Sequence, residues 1–184
     1  MTDPDRQTVM DERAVERVLA RMAREIVEQV EDLSGLILVG IHRRGVHLAR
    51  WLAGQIQRDL AVDVPTGSLD ITLYRDDLMA VGPRPVVGQT QLPHGGIDGK
   101  TLVIVDDVLY TGRTVRAALD ELADFGRPRR ILLCVLIDRG GRELPIHADI
   151  IGKNISVVGR DRVEVRVPEI DQMSAVELVK GAAS

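Results

Sequence analysis

A chain of 184 residues is long enough for one domain with a substantial hydrophobic core. With 45% hydrophobic residues and a formal net charge of -4, it is not a disordered polyelectrolyte, and its acidity argues against a general charge-driven nucleic-acid binder while leaving a local basic face open. One cysteine, Cys134, excludes an intrachain disulfide, no apolar run reaches membrane-spanning length, and the polar, acidic N-terminus has no secretory pattern, so a cytoplasmic protein without a membrane partner is expected.

In chain order, Met10 to Val30 predicts a helix, because Val15, Val18, Leu19, Met22, Ile26 and Val30 recur at helical spacing and Asp11 suits the dipole at its start. Leu36 to Ile41 predicts a buried strand, and Gly45 to Leu60 the next helix. Ser68 to Tyr74 predicts a strand in which Leu69, Ile71 and Leu73 alternate with Asp70 and Thr72. Arg75 to Lys100 is rich in Pro and Gly without clear periodicity, as a functional lid would be, with a hairpin around Val86-Val87 and Thr90-Leu92 as an option. A strand from Val103 and a helix carrying Val115, Leu119 and Leu122 follow. Ile131 to Asp138, which contains Cys134 as a core residue, predicts another buried strand. Asp149 to Gly152 and Val163 to Val167 predict shorter strands, and Ser174 to Lys180 a short helix. Alternating strands and helices imply an α/β fold with a central parallel sheet flanked by helices. Ligands on such sheets bind beyond the C-terminal strand ends, so the loops after Ile41, Tyr74, Asp106 and Asp138 should meet at one edge.

The run Val103-Ile104-Val105-Asp106-Asp107-Val108-Leu109-Tyr110-Thr111-Gly112-Arg113-Thr114 carries the most chemistry. A rigid apolar strand ends in two carboxylates, and a small hydroxyl-bearing turn then opens an amphipathic helix. Gly112 permits close backbone approach, and the free amides at the helix start favour a phosphate. Adjacent acids at a buried strand end are costly without a partner, but suit sugar hydroxyls and a metal ion. A ligand with phosphate, ribose diol and Mg2+ in one small volume fits, and phosphoribosyl pyrophosphate (PRPP) is such a ligand. The turn His42-Arg43-Arg44-Gly45 also follows a buried strand and starts a helix. Positive charge is unfavourable at that end of a helix, which favours anion binding there over a pair of merely solvated arginines.

The Val103–Thr114 run resembles the PRPP-binding signature of type I phosphoribosyltransferases. The resemblance implies that family's fold, with a mobile lid at about 75–100 and a small hood at about 139–168, within a single domain spanning 1–184. It implies that Asp106 and Asp107 bind the ribose hydroxyls and help place Mg2+, directly or through water. Val108, Leu109, Tyr110, Thr111, Gly112, Arg113 and Thr114 would complete the nucleotide site, with the turn from Tyr110 to Thr114 holding the 5-phosphate. Arg43 and Arg44 would belong to the pyrophosphate loop, where the family often has a non-proline cis peptide. Arg75 would act catalytically from the closing lid, where pairing with Asp76 or Asp77 is the alternative. Tyr110 stands where purine-specific relatives commonly place an acid, which favours a pyrimidine base.

Leu69–Leu78, Asp106–Ala117, Asp138-Arg139-Gly140, Arg142–Ile146 and Gly152-Lys153-Asn154 together are similar to the bacterial pyrimidine-operon attenuation regulators of this family. That resemblance implies two activities: binding a stem-loop of pyrimidine-operon leader mRNA in response to UMP or UTP, and converting uracil and PRPP to UMP and pyrophosphate. It further implies uracil recognition by backbone near Arg139 and Val163, and a homodimer or higher homo-oligomer. The chain departs from the pattern at Ser156-Val157-Val158, where relatives tend to carry proline and small polar residues.

Arg13, Arg17, Arg21 and Arg24 are spaced by four, four and three and form one stripe on the first helix. Such a stripe suits RNA phosphates. Glu12, Glu16, Glu25 and Glu28 on the same helix also suit a solvated, internally paired face. The resemblance favours RNA and adds Arg139, Arg142 and Lys153 to the candidate contacts. The alternatives are a salvage phosphoribosyltransferase without RNA binding and a nucleotide sensor without useful turnover.

Overall fold

A computed structural model describes residues 5–71, 89–157 and 159–181. Five strands form a parallel sheet: β2 (Leu36–Ile41), β3 (Thr66–Leu69), β4 (Thr101–Leu109), β5 (Arg130–Asp138) and β6 (Ile150–Asn154), in spatial order β3-β2-β4-β5-β6. β2 is buried along its whole length and β4 through Asp106, as expected of central strands covered on both faces.

The alternation of side chains across the sheet divides the core in two. Leu38, Val103, Val105, Leu132, Cys134 and Leu136 pack with Val15, Leu19, Met22 and Ile26 of α1 (Glu12–Gln29) and with Leu48, Leu52 and Ile56 of α2 (Arg44–Leu60). Ile37, Val39, Ile41, Leu102, Ile104 and Val135 pack with Val115, Ala118 and Leu122 of α3 (Arg113–Leu122). α1 starts after Asp11, whose carboxylate accepts from the Ala14 amide at 2.8 Å, so the helix begins two residues later than its apolar pattern from Met10 implied. α2 ends at Ala61 in the left-handed conformation.

A second, antiparallel sheet has the order β1-β8-β7, formed by β1 (Arg6–Met10), β7 (Arg162–Arg166) and β8 (Ala175–Val179). The expectation of a helix at Ser174–Lys180 is corrected by this sheet: Ala175–Val179 pairs on both sides and buries Ala175, Val176 and Val179. A five-residue apolar segment has no decisive period, and its partners come from near the two ends of the chain. Between β7 and β8 lies the short α4 (Pro168–Asp171). The strand expected at Ser68–Tyr74 is observed as Thr66–Leu69, and residues 72–74 lie outside the described set. Ser68 pairs antiparallel with Gln91 through two backbone hydrogen bonds of 2.8 and 2.9 Å.

Candidate active site

The C-terminal ends of β2, β4 and β5 are adjacent, so the three loops that follow them share one edge of the sheet. The turn after β2 is held from both sides. The His42 amide donates to the Leu69 carbonyl at 2.9 Å, and the His42–Arg43 peptide is cis. Gly40 and Gly45 face one another so closely that a Cβ on Gly40 would collide with the Gly45 carbonyl. A Cβ on Gly45 would collide in turn with the Val105 carbonyl and stand 3.3 Å from Asp106 Cα. The start of α2 is therefore seated directly on the acidic end of β4. Among the described residues no side chain caps α2, which leaves its first amides available to an anion.

Asp106 is 7% exposed and Asp107 half-buried. Asp106 Oδ1 accepts from the Asp107 amide, and Asp107 Oδ1 from the Val108 amide, each at 2.9 Å. Among the described residues no basic side chain forms an ion pair with either. Burial first, and the neighbouring Asp107 carboxylate second, push the Asp106 carboxyl well above the usual carboxylate range. This local field rewards a cation or hydroxyl donors.

The next turn is braced from beneath. Gly112 has φ +92°, and a Cβ there would stand 3.3 Å from Ile146 Cδ1. The Thr111 carbonyl accepts from the Glu143 and Leu144 amides at 3.0 and 3.1 Å. Thr111 Oγ1 accepts from the Arg113 amide at 3.3 Å, and Thr114 is exposed at the first turn of α3. The Arg113 side chain reaches Glu143 at 2.8 Å. Arg142 donates Nη1 to the Tyr110 carbonyl at 2.7 Å, Nε to the Ile146 carbonyl at 2.9 Å, and Nη2 to Asp138. Three bonds at 18% side-chain exposure make Arg142 a brace between this turn and the segment after β5.

Tyr110 is 48% exposed and lies beneath the guanidinium of Arg139, 4.0 Å from the ring centroid. Arg139 Nη2 also donates to the Asp161 carbonyl at 3.1 Å, bringing the loop after β5 to the start of β7, where Val163 sits half-buried. Arg43 is exposed and, among the described residues, unpaired. Arg44 instead turns to Asp171, with Nη2 3.1 and 3.2 Å from its two oxygens. Arg75 and Val158 lie outside the described residues.

A family profile described as a phosphoribosyl transferase domain matches residues 5–169. The bifunctional protein PyrR of Pelotomaculum thermopropionicum is 51% identical over 97% of this chain and 98% of its own. That of Thermus aquaticus is 54% identical over 92% of this chain and 93% of its own. The chain belongs to the PyrR family. Solved hypoxanthine phosphoribosyltransferases share the PyrR fold at lower identity. One from Staphylococcus aureus has a TM-score of 0.69 at 16% identity, covering 95% of this chain and 92% of that one. One from Trypanosoma cruzi has a TM-score of 0.72 at 18% identity, covering 95% and 91%.

The arginine stripe on α1 divides into exposed members and one packed member. Arg13, Arg17 and Arg24 are exposed. Arg21 is half-buried, paired with Glu25 and bonded to the Ile151 carbonyl at 3.0 Å and to the Gly152 carbonyl, so it ties α1 to β6. Lys153 is exposed beside that junction, since Gly152 lies against Val18 and Met22. Sequence reasoning missed the network Arg6-Glu164-Glu177-Arg166-Asp171, whose members come from β1, β7, β8 and α4. No spacing announces it. Gly40 and Gly45, by contrast, flank the turn after β2 visibly in sequence and could have been read as a close backbone approach.

Proposed function

We propose that this chain converts uracil and PRPP to UMP and pyrophosphate, and that, with uridine nucleotide bound in the same pocket, it binds pyrimidine-operon leader mRNA and attenuates transcription. The observation that carries the enzymatic half is the seating of Gly45 against Val105 and Asp106, because it sets an anion-binding turn beside a carboxylate pair and the braced turn of α3. Membership of the PyrR family supports the regulatory half.

Uracil, as the anion left once its N1 proton has passed to solvent, would attack C1 of the ribose through N1 as the C1–O bond to pyrophosphate breaks, and positive charge develops on the ring. The Asp106 and Asp107 carboxylates would face that charge and the ribose hydroxyls. The amides of the Arg43–Val46 segment, with the exposed Arg43, would hold the leaving pyrophosphate, and Arg44, turned to Asp171, leaves that duty to its neighbour. The amides of Thr111–Thr114 and the hydroxyls of Thr111 and Thr114 would hold the 5-phosphate. Backbone around Arg139 and Val163 would read the base edge, where a pocket built to hydrogen-bond discriminates strongly.

Phosphoribosyltransferases generally use Mg2+ with PRPP. Asp106 and Asp107 fit it, being a buried and a half-buried carboxylate side by side without a basic partner among the described residues, and they would hold it directly or through water. Bound there, the ion would neutralise phosphoryl charge. The RNA surface we assign is Arg13, Arg17 and Arg24 with Lys153, all exposed on or beside α1. Among the described residues no helix is long and apolar enough to cross a membrane, and with leader mRNA as the partner this activity would belong to the cytoplasm.

The test of the enzymatic half is direct: purified protein with Mg2+, PRPP and labelled uracil should yield UMP, with hypoxanthine a poor substitute. Absence of UMP, or preference for hypoxanthine, contradicts the assignment.

A further inference from the structure

The turn His42–Gly45 is fixed on its sheet side by backbone contacts of Gly40, Gly45 and His42. Its remaining freedom is where α2 begins, and that residue is Arg44. A cation at a helix start opposes the dipole. Here Asp171 offsets it: its carboxylate takes Arg44 Nη2 on both oxygens at 3.1 and 3.2 Å, although the two residues are 127 apart in sequence. Asp171 is itself anchored, accepting from the Val167 amide at 3.0 Å and from Arg166 Nη1 at 3.3 Å. Arg166 continues to Glu164 at 3.1 Å and Glu177 at 3.3 Å, and Arg6 closes the network at 2.7 and 2.9 Å. The Asp171 side chain is only 9% exposed. Burial alone would raise its carboxyl, but the Val167 amide, Arg44 and Arg166 outweigh that and hold it below the usual range.

We infer that Asp171 is a positioning residue for PRPP binding: through Arg44 it fixes the start of α2, and so the aim of the pyrophosphate-binding amides, relative to the antiparallel sheet. The inference rests on the reading that this turn holds pyrophosphate. It makes the second sheet part of the PRPP site without a direct contact. It also gives Arg44 a duty different from that of Arg43, which the sequence presents as its twin. Without Asp171, Arg44 is an unbalanced cation at a helix start, and the turn loses its tie to β7 and β8.

The experiment is steady-state kinetics of UMP formation by Asp171→Asn, Arg44→Gln and the double variant, with the KM for PRPP and for uracil measured separately and Tm recorded. Asp171→Asn should raise the PRPP KM on the order of tenfold or more, as misplaced binding groups do, and leave the uracil KM nearly unchanged. Arg44→Gln should do the same, and the double variant should be no worse than either alone, because both break one link. If Asp171→Asn does not fold, Arg44→Gln with the same selective rise in PRPP KM upholds the link. A lowered Tm with an unchanged or lower PRPP KM overturns the inference alone. Wild-type protein without PRPP-dependent turnover overturns the inference together with the reading on which it rests.

Discussion

Gly45 lies so close to Val105 that any side chain on it would strike the Val105 carbonyl. The consequence is a fixed separation between the turn at the start of α2 and the acids that follow Val105. Gly45→Ala should therefore push the turn off β4. Overpacking of this kind costs about 1–3 kcal/mol of stability, and a displacement near 1 Å costs on the order of a hundredfold in rate. Chemical denaturation and UMP formation measure the two, and the loss of turnover should far exceed what the unfolded fraction explains.

Asp106 should show function at odds with stability. Its buried carboxyl is pushed up by burial and by Asp107, so its ionised form burdens the fold. Asp106→Asn keeps an oxygen for the Asp107 amide and removes that burden. Tm at neutral pH should rise while turnover falls at least a hundredfold, the scale of losing electrostatic stabilisation in a transition state. Asp107→Asn should likewise cut turnover far more than stability. Undiminished turnover in either variant would remove the carboxylate role.

The RNA prediction narrows with the structure. Reversing Arg21 would break its bonds to β6 as well as its charge, so a loss of binding there would be ambiguous. Arg13→Glu with Arg17→Glu tests the exposed part of the stripe. Leader RNA affinity should fall strongly and its salt dependence should flatten, while UMP formation continues at the wild-type rate. Equal affinity would dismiss the stripe.

The antiparallel sheet should be sensitive to acid. Glu164 is held below the usual range chiefly by its hydrogen bond from Arg6, and Asp171 by the Val167 amide, Arg44 and Arg166 against the cost of burial. Carboxyls lowered on folding stabilise above their unfolded values, near 4.5 and 3.8, and that stability is lost as pH falls through the folded ones. Arg6→Gln removes the chief partner of Glu164, so it should lower Tm at pH 7, and the difference from wild type should shrink on acidification below about pH 4. A difference that is constant with pH would show that Arg6 acts by packing alone.

The central strands of the parallel sheet are legible because they hold short, continuous apolar runs, whereas β3, with the sequence TGSL, has none and lies two residues ahead of the expected start at Ser68. Leu36–Ile41 was bounded to the residue, and Ile131–Asp138 to within one. The carboxylate pair and the turn after it were legible because the chemistry sits in one contiguous segment. The antiparallel sheet was not, since β8 joins β1 and β7 by pairings between distant parts of the chain, and Ala175–Val179 alone fits either a helix or a strand. Charged side chains were hardest. Arg43 and Arg44 are neighbours of one type, yet one is exposed and the other bonds Asp171. Arg142 and Lys153 both looked like phosphate contacts, yet Arg142 spends its donors on Tyr110, Ile146 and Asp138. Sequence states that a guanidinium is present, and only packing states where it points.

The most direct test of the central claim is the affinity of the purified protein for a pyrimidine-operon leader stem-loop, with and without UMP, at one stated salt concentration. Binding that tightens with UMP is the predicted result and couples nucleotide binding to RNA binding. No binding to the correct leader by protein that still forms UMP from uracil and PRPP would contradict the regulatory role and leave a salvage enzyme.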